Sequence, residues 1–454
     1  MQQLSRQATE LRPAPPRQVL ERLRRRRRID RMITYWGTTP GKLRVTMVVL
    51  VLGVLLSGGV GAYAADVRAE ATRDIAERIE PLNADVTTLY RSLAAAHATV
   101  TSGFLSDSQE PSVTRARYDD HVADATARLG RAGSQAGEDA VTADRIADIA
   151  VQLPVYTGLV ERARANNRQG FPLGMAYLRS ASELMQSSIL PEAEELQRRQ
   201  ATRLGDAYQR AESVPVVALA ACAVSLAGLL WAQLFLFQRT HRVFNIGLVA
   251  ATGAVLVGLL WWTVTGMVSA GYLQGSRDHS ESVSEALGPA QIAALQARAT
   301  ESLALVARDG GTNEHDFVAQ MLLLARDEGV GGALGAARAL ATDRKGRDLV
   351  ETAIREAVGY QEAHEEVRQL DADGDYLQAV AVALRDDPAS GLTTFERLGR
   401  ALTDAVEHER EAFQGDIDRA EDWLTGLAVG IGALALAAAV GVTLGVRSRL
   451  EEYR

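Results

Sequence analysis

Hydrophobic positions along the chain fall into two regimes. In four stretches, 45–65, 214–237, 244–268 and 425–446, apolar residues run on without a single Asp, Glu, Lys or Arg. Each is about 20 residues or longer, the length an α-helix needs to cross the hydrocarbon of a bilayer at 1.5 Å per residue. Between them charged residues return and the apolar ones take helical spacing. Ile75, Ile79, Leu82, Val86, Leu89 and Leu93 follow one another in alternating steps of four and three, and Val100 and Phe104 extend the line. Such steps keep one stripe of a helix apolar, as in a heptad seam. Ile146, Ile149, Leu153, Tyr156 and Val160 repeat the pattern, and a further helix starting near Pro172 carries Leu178, Met185, Ile189 and Leu196.

Turn-forming residues cluster at 106–111, 130–137 and 166–174 and divide the first long segment into four helices, an up-down-up-down bundle whose ends lie together, as two membrane spans require. The second long segment divides similarly at 309–313, 329–335 and 371–374. The reading is therefore all-α: a polytopic membrane protein with four transmembrane helices and two extracytoplasmic four-helix bundles in tandem duplication. Its parts are a cytoplasmic Arg-rich tail (1–44), spans at 45–65, 214–237, 244–268 and 425–446, bundles at 66–213 and 269–424, a cytoplasmic loop (238–243) and a cytoplasmic tail (447–454).

Duplication is read from landmarks as well as layout. Tyr156 and Gly170 stand 14 residues apart, as do Tyr360 and Gly374, at an offset of 204 between copies. Pro81 and Pro289, each early in the first helix of its bundle, are related by 208. Agreement in span order, spacing and total length is the mark of an internal repeat.

Charge decides orientation. Residues 1–44 hold 12 basic against 3 acidic side chains, the loop 238–243 carries Arg239 and Arg242, and three arginines follow the last span. All three segments fall on one side of a four-span path, which the positive-inside rule makes the cytoplasm, with both termini there. The two long segments are acidic, at net -5 and -15. Ala62-Tyr63-Ala64 has the form of a signal-peptidase site, but the apolar run before it is too long and too far from the N-terminus, so the first span reads as an uncleaved anchor. The overall net charge of -8 argues against nucleic-acid binding. One cysteine, Cys222, rules out an intrachain disulfide and sits inside a span, where it reads as packing.

Catalytic patterns fail on inspection. His364-Glu365-Glu366-Val367-Arg368 and His408-Glu409-Arg410-Glu411-Ala412 begin like a zinc-protease helix but lack the second His at i+4, and read as exposed charged helix faces. Asp371-Ala372-Asp373-Gly374-Asp375 has its glycine two places too early for a calcium loop and reads as a helix-ending turn. No catalytic residue, metal site or cofactor is assigned, and the chain reads as a non-enzyme. His97 lies on the seam between Leu93 and Val100, where it is a packed histidine or a sensory one. The second copy does not repeat it: the tyrosine offset points to Glu301 and the proline offset to Leu305. Arg24, Arg25, Arg26, Arg27 and Arg28, with Arg239 and Arg242, are assigned to lipid contact at the cytoplasmic face or to docking of a cytoplasmic protein. Gly426/Gly430 and Gly441/Gly445 allow close helix approach, within the four spans or in a homodimer.

Paired spans enclosing a long four-helix bundle resemble the sensory halves of chemoreceptors and sensor kinases, without any cytoplasmic output domain. The doubled four-span form with its Arg-rich tail resembles the actinobacterial GlnX-type membrane proteins. That resemblance implies a signal transducer linking a solute-binding lipoprotein outside, reporting amino-acid availability, to a soluble Ser/Thr protein kinase inside. The alternative is a structural membrane scaffold for envelope or division proteins. A transporter would need polar or broken helices at mid-membrane, which these spans lack.

Overall fold

The computed structural model describes residues 39–106, 110–137, 139–169, 173–212, 216–240, 245–308, 314–326, 331–385 and 387–451. Helices account for nearly all of them; an antiparallel bridge between Arg326 and Gly331 is isolated, and no strand forms among the described residues. The Arg24–Arg28 run and Arg242 lie outside the described residues, as does the side chain of Arg239. The chain forms two compact units. One gathers the described residues of Met1–Asp66, Val214–Val264 and Gly426–Arg454, and the other comprises Val67–Ser213 and Thr265–Thr425.

The first unit contains the apolar stretches. They lie in helices α1 (Thr39–Asp74), α7 (Val216–Thr240), α8 (Ile246–Glu281) and α15 (Leu427–Glu451), each long and apolar enough to cross a membrane. The chain is thus a multi-pass membrane protein. Leu50 and Val54 of α1, Leu229 of α7, Leu248 of α8, and Ala438 and Val442 of α15 meet in one core. Val48, Leu52, Val224, Trp231, Leu260 and Leu436 point outward, an apolar exterior that suits lipid rather than water. Packing between apolar helices in lipid depends on close approach and polar links. Gln233 Nε2 donates to Thr252 Oγ1 (2.8 Å) and Leu248 O (3.1 Å), tying α7 to α8, and Ser225 Oγ donates to Gly53 O (3.0 Å), tying α7 to α1.

Glycines join α8 to α15. Gly247 lies against the backbone of Gly441 and Gly445, and Asn245 Nδ2 donates to Gly445 O (2.8 Å). Gly430 accommodates the Trp261 ring. Within the chain, then, Gly441/Gly445 serve helix packing. Gly426 has a different part: at φ +79° it takes a left-handed conformation at the break before α15, which a side chain would strain.

The second unit holds both bundles. The first consists of the end of α1, α2 (Glu80–Gly103), α3 (Ser112–Gln135), α4 (Ala140–Arg168), α5 (Leu173–Leu184) and α6 (Leu190–Glu212). Leu82, Val86, Leu89, Leu93, Val100, Ile146, Ile149, Leu153, Tyr156, Val160, Leu178, Met185, Ile189 and Leu196 form its core, so the seam positions of the sequence face inward. The second consists of the end of α8, α9 (Gly288–Ala307), α10 (Glu314–Leu324), α11 (Gly332–Leu340), α12 (Arg344–Ala372), α13 (Tyr376–Leu384) and α14 (Gly391–Leu424). Its second leg is split into α10 and α11, and its fourth into α13 and α14. Two of its breaks, before α12 and before α14, fall where no break is read from the sequence. Both are capped: the Asp343 carboxylate accepts from Gly346 N (2.6 Å) and Ser390 Oγ accepts from Thr393 N (3.3 Å). Such caps satisfy N–H groups that a helix start leaves without partners.

Three π-helical turns interrupt long helices, at Ile75–Ile79, Met185–Ile189 and Ser282–Leu287. Each ends two residues before a proline, Pro81, Pro191 or Pro289. Proline cannot donate to the helix ladder and its ring crowds the carbonyl one turn back, and a widened turn relieves that conflict without ending the helix.

The bundles pack side by side through α2 and α9. Ile292, Leu295, Leu303 and Val306 of α9 lie on the core of the first bundle, and the hydroxyls of Ser102 and Ser302 are 2.9 Å apart. Elsewhere the four segments adjoining the spans in sequence converge: Ile75, Leu204 and Tyr208, Leu273, and Phe413 and Ile417 share one core.

Gly247→Val should test the glycine contact between α8 and α15. The added methyls meet backbone, which cannot swing aside, and overpacking of this kind costs about 1–3 kcal/mol. Thermal unfolding in detergent should show a lower midpoint, whereas Gly253→Val, at a position with open space around an added Cβ, should leave the midpoint nearly unchanged.

Candidate sensory core of the paired bundles

Each bundle has a buried polar centre built on a tyrosine. In the first, His97 on α2 is 2% exposed, with Tyr156 of α4 edge-on and its hydroxyl 3.4 Å from His97 Nδ1. Nε2 finds no hydrogen-bond partner among the described residues. Alanines flank it on α2. Burial without a charged partner pushes the imidazole down to about 4, so it is held neutral.

The second centre is ionic. Glu301 on α9, also 2% exposed, accepts from Arg298 Nη1 (2.6 Å) and from the Tyr360 hydroxyl (3.1 Å), and His364 Nδ1 lies 2.8 Å from its other oxygen. Arg298, 1% exposed, also donates to Ala383 O (3.2 Å). His364 Nε2 faces Glu314 at 3.3 Å, and the Phe317 ring stacks on the imidazole. Burial alone would raise the Glu301 carboxyl. Arg298 and the hydrogen bond from His364 outweigh it and hold the group ionised, at about 2. His364 is therefore no exposed helix face: α12 turns it inward, because a carboxylate and an aromatic ring wait for it there. His408 is half-buried, with Nε2 2.9 Å from Asp343.

The two centres correspond in spacing though not in chemistry. Tyr156 reaches a residue 59 positions before it, His97, and Tyr360 reaches one 59 before it, Glu301. About two turns further along, Arg164 Nε pairs with Glu110 (2.8 Å), and Arg368 Nε pairs with Glu314 (3.0 Å). All four residues of one set map onto the other at an offset of 204. In the first bundle the arginine is buried over the Tyr118 ring, whereas in the second it is only half-buried.

A third polar group lies where α8 meets α14. His279 Nδ1 is 2.5 Å from the buried Glu409 carboxylate, with Asp416 4.0 Å from Nε2. Nearby the Tyr208 hydroxyl and Ser276 Oγ are 2.6 Å apart. The hydrogen bond to Glu409 raises the His279 pKa, against the opposing effect of burial. Sequence reasoning singled out His97 but not Arg298, Glu314 or His279. The available signal was a carboxylate on the α9 seam, aligned with His97 by the tyrosine offset.

Asp371–Asp375 forms a turn. The helix ends at Ala372, Gly374 adopts φ +83°, and Asp375 caps α13.

A family model described as an actinobacterial sensor domain matches residues 71–209, the first bundle. No curated protein and no solved structure gives a significant match.

Removing one partner from a buried ion pair leaves the other charge unpaired, at a cost of about 3–5 kcal/mol. Glu301→Ala should lose that much stability in denaturant unfolding, because Arg298 remains. The double change Arg298→Met with Glu301→Leu should recover most of the loss.

The two histidines should have opposite pH signatures. An unfolded histidine titrates near 6.5. His97 is depressed when folded, so its contribution is complete above about 6.5 and declines as pH falls toward 4. His279 is raised, so its contribution is complete below about 6.5 and is lost as pH rises through the folded value. Melting temperatures across pH 4–8 should show His97→Leu removing acid sensitivity and His279→Gln removing alkaline sensitivity.

Proposed function

We propose that the chain is a non-enzymatic transmembrane signal transducer, with both termini cytoplasmic and both bundles outside. The observation that carries this reading is the sensor-domain match over a bundle set in a four-span membrane chain. A signalling role follows from that match. The orientation rests on the arginines of 1–44, 238–243 and 447–454. The finer assignment follows the resemblance to GlnX-type proteins: a solute-binding lipoprotein contacts the bundles, and a soluble Ser/Thr kinase contacts the cytoplasmic edge through Arg24–Arg28, Arg239 and Arg242. The shared core of Ile75, Tyr208, Leu273 and Phe413 supports coupling between the bundles, since it brings together every segment adjoining a span. A signal passes only if the outside partner binds two arrangements of that core with different affinity.

We infer too that the bundles are copies of one unit. The support is the pair of tyrosine contacts at 59 residues, the ion pairs Glu110–Arg164 and Glu314–Arg368 at the same offset, and the π turns before Pro81 and Pro289. Divergence of His97 and Glu301 then leaves one neutral and one ionic centre, of which His97 is the candidate for a sensory role.

Cross-linking in intact cells tests the function. Positions in the bundles should capture a solute-binding lipoprotein, and positions beside Arg24–Arg28 a kinase. Changing Arg24–Arg28 to Gln should abolish the second capture while the protein still inserts, because Lys42 and Arg44 remain. Recovery of cell-wall or division proteins from both faces, with no kinase, would favour the scaffold instead.

A further inference from the structure

Where the bundles meet, α2 and α3 on one side and α9 and α14 on the other enclose a cleft of about 430 Å³. Its walls are largely small and apolar, including Ala98, Ala294, Leu295 and Leu402. Hydroxyls of Thr99, Ser102 and Thr403 stand among them. Most of the charges that reach the cleft are already matched. Arg117 pairs with Glu396 at 2.7 Å, and Arg298 is held by Glu301 and Ala383 O. Asp124 accepts from the Ser92 hydroxyl (2.6 Å) and from Arg128 Nε (3.2 Å).

Two basic groups are not. Arg91 on α2 and His121 on α3 both line the cleft, both are half-buried, and neither makes a hydrogen bond or ion pair among the described residues. Burial lowers the Arg91 pKa, and burial together with Arg91 lowers that of His121, against the opposing pull of the nearby Asp124 carboxylate on both and of Asp120 on His121. A partly desolvated guanidinium with idle donors costs stability, and its planar fork matches a carboxylate.

We propose that this cleft binds a small organic anion, its carboxylate on Arg91 beside His121 and its apolar body along the alanine and leucine wall. Such a ligand touches both bundles at once. Binding would therefore favour one arrangement of α2 against α9, which deepens the sensor reading. Binding itself is measured without reference to any partner, so its failure and the failure of the signalling assignment are separable.

The test uses purified full-length protein in nanodiscs, with linear carboxylates from acetate to octanoate as probes. Inorganic phosphate and hexylammonium serve as comparisons. A mid-length carboxylate should raise the melting temperature in a saturable way, and hexylammonium should not. Arg91→Gln should weaken binding by at least about tenfold, the order expected for a lost charged hydrogen bond. Without ligand, Arg91→Gln should melt no lower than the parent, since it removes a poorly solvated charge. That separates a binding role from a structural one. Arg91→Lys should recover part of the affinity, and His121→Gln should weaken it. Arg179→Gln, an exposed arginine on α5, should change nothing. The proposal is overturned if no carboxylate binds, if Arg91→Gln and His121→Gln both bind like the parent, or if hexylammonium binds equally. Binding of phosphate alone would overturn the apolar part of the assignment.

Discussion

The bundles are joined through α2 and α9, two alanine-rich helices whose alanines mostly serve their own bundles: Ala94 and Ala96 lie in the first core, and Ala290, Ala293, Ala294 and Ala297 in the second. Alanine buries little area, and hydrophobic stabilisation scales with area, roughly 25 cal/mol per Å². Between the bundles the apolar contact comes from longer residues of α9, Ile292, Leu295, Leu303 and Val306, and the hydroxyls of Ser102 and Ser302 add a polar one. The first bundle's interior is built largely of Leu, Ile, Val, Met and Tyr, whereas nearly half of the second bundle's core residues are alanine. The bundles meet along α2 and α9. The cleft with Arg91 and His121 occupies that place.

The same helices carry the buried polar centres, and the contrast between them is energetic. His97 is kept neutral by burial and asks only for space. Glu301 is kept charged and requires Arg298, Tyr360 and His364 together. A half-satisfied buried network costs more than an apolar core, so the second bundle is committed to one arrangement of α9, α12 and α13. In the first bundle that obligation lies away from His97, at Arg164 with Glu110 and Glu161 and at Asp85 with Arg128 and Arg131. Two domains with the same outline thus differ in how readily their centres tolerate change.

The spans, the helical class and the inward seam were legible because each rests on a repeating pattern: uncharged runs of sufficient length, or apolar residues in steps of three and four. Leu82 to Leu93, and Ile146 to Val160, could be assigned to a core by periodicity alone. The breaks around 106–111 and 371–374 were legible through turn residues. The partners of buried charges were not. His364 sits in a string of charged residues, and nothing local distinguishes it from Glu365 or Glu366. What buries it is a carboxylate 63 residues earlier and a phenylalanine on another helix. The association of α2 with α9 is equally invisible, because alanine-rich faces suit a helix packed on anything. The offset of 204 was the one long-range signal available. It aligned Glu301 with His97, without indicating that a tyrosine and an arginine would meet the carboxylate there.

The π turns bear on helical phase. An α-helix advances about 100° per residue, so one additional residue in a turn rotates everything beyond it by that angle. Ile75, where the first π turn begins, and Leu82, beyond its end, serve different cores, one shared by the segments adjoining the spans and one internal to the first bundle. The proline does more than interrupt a ladder: it sets the angular register between two stretches of one rod. Replacing it, or deleting a single residue beside it, would change which face of the helix each end presents, while leaving its length almost as it was.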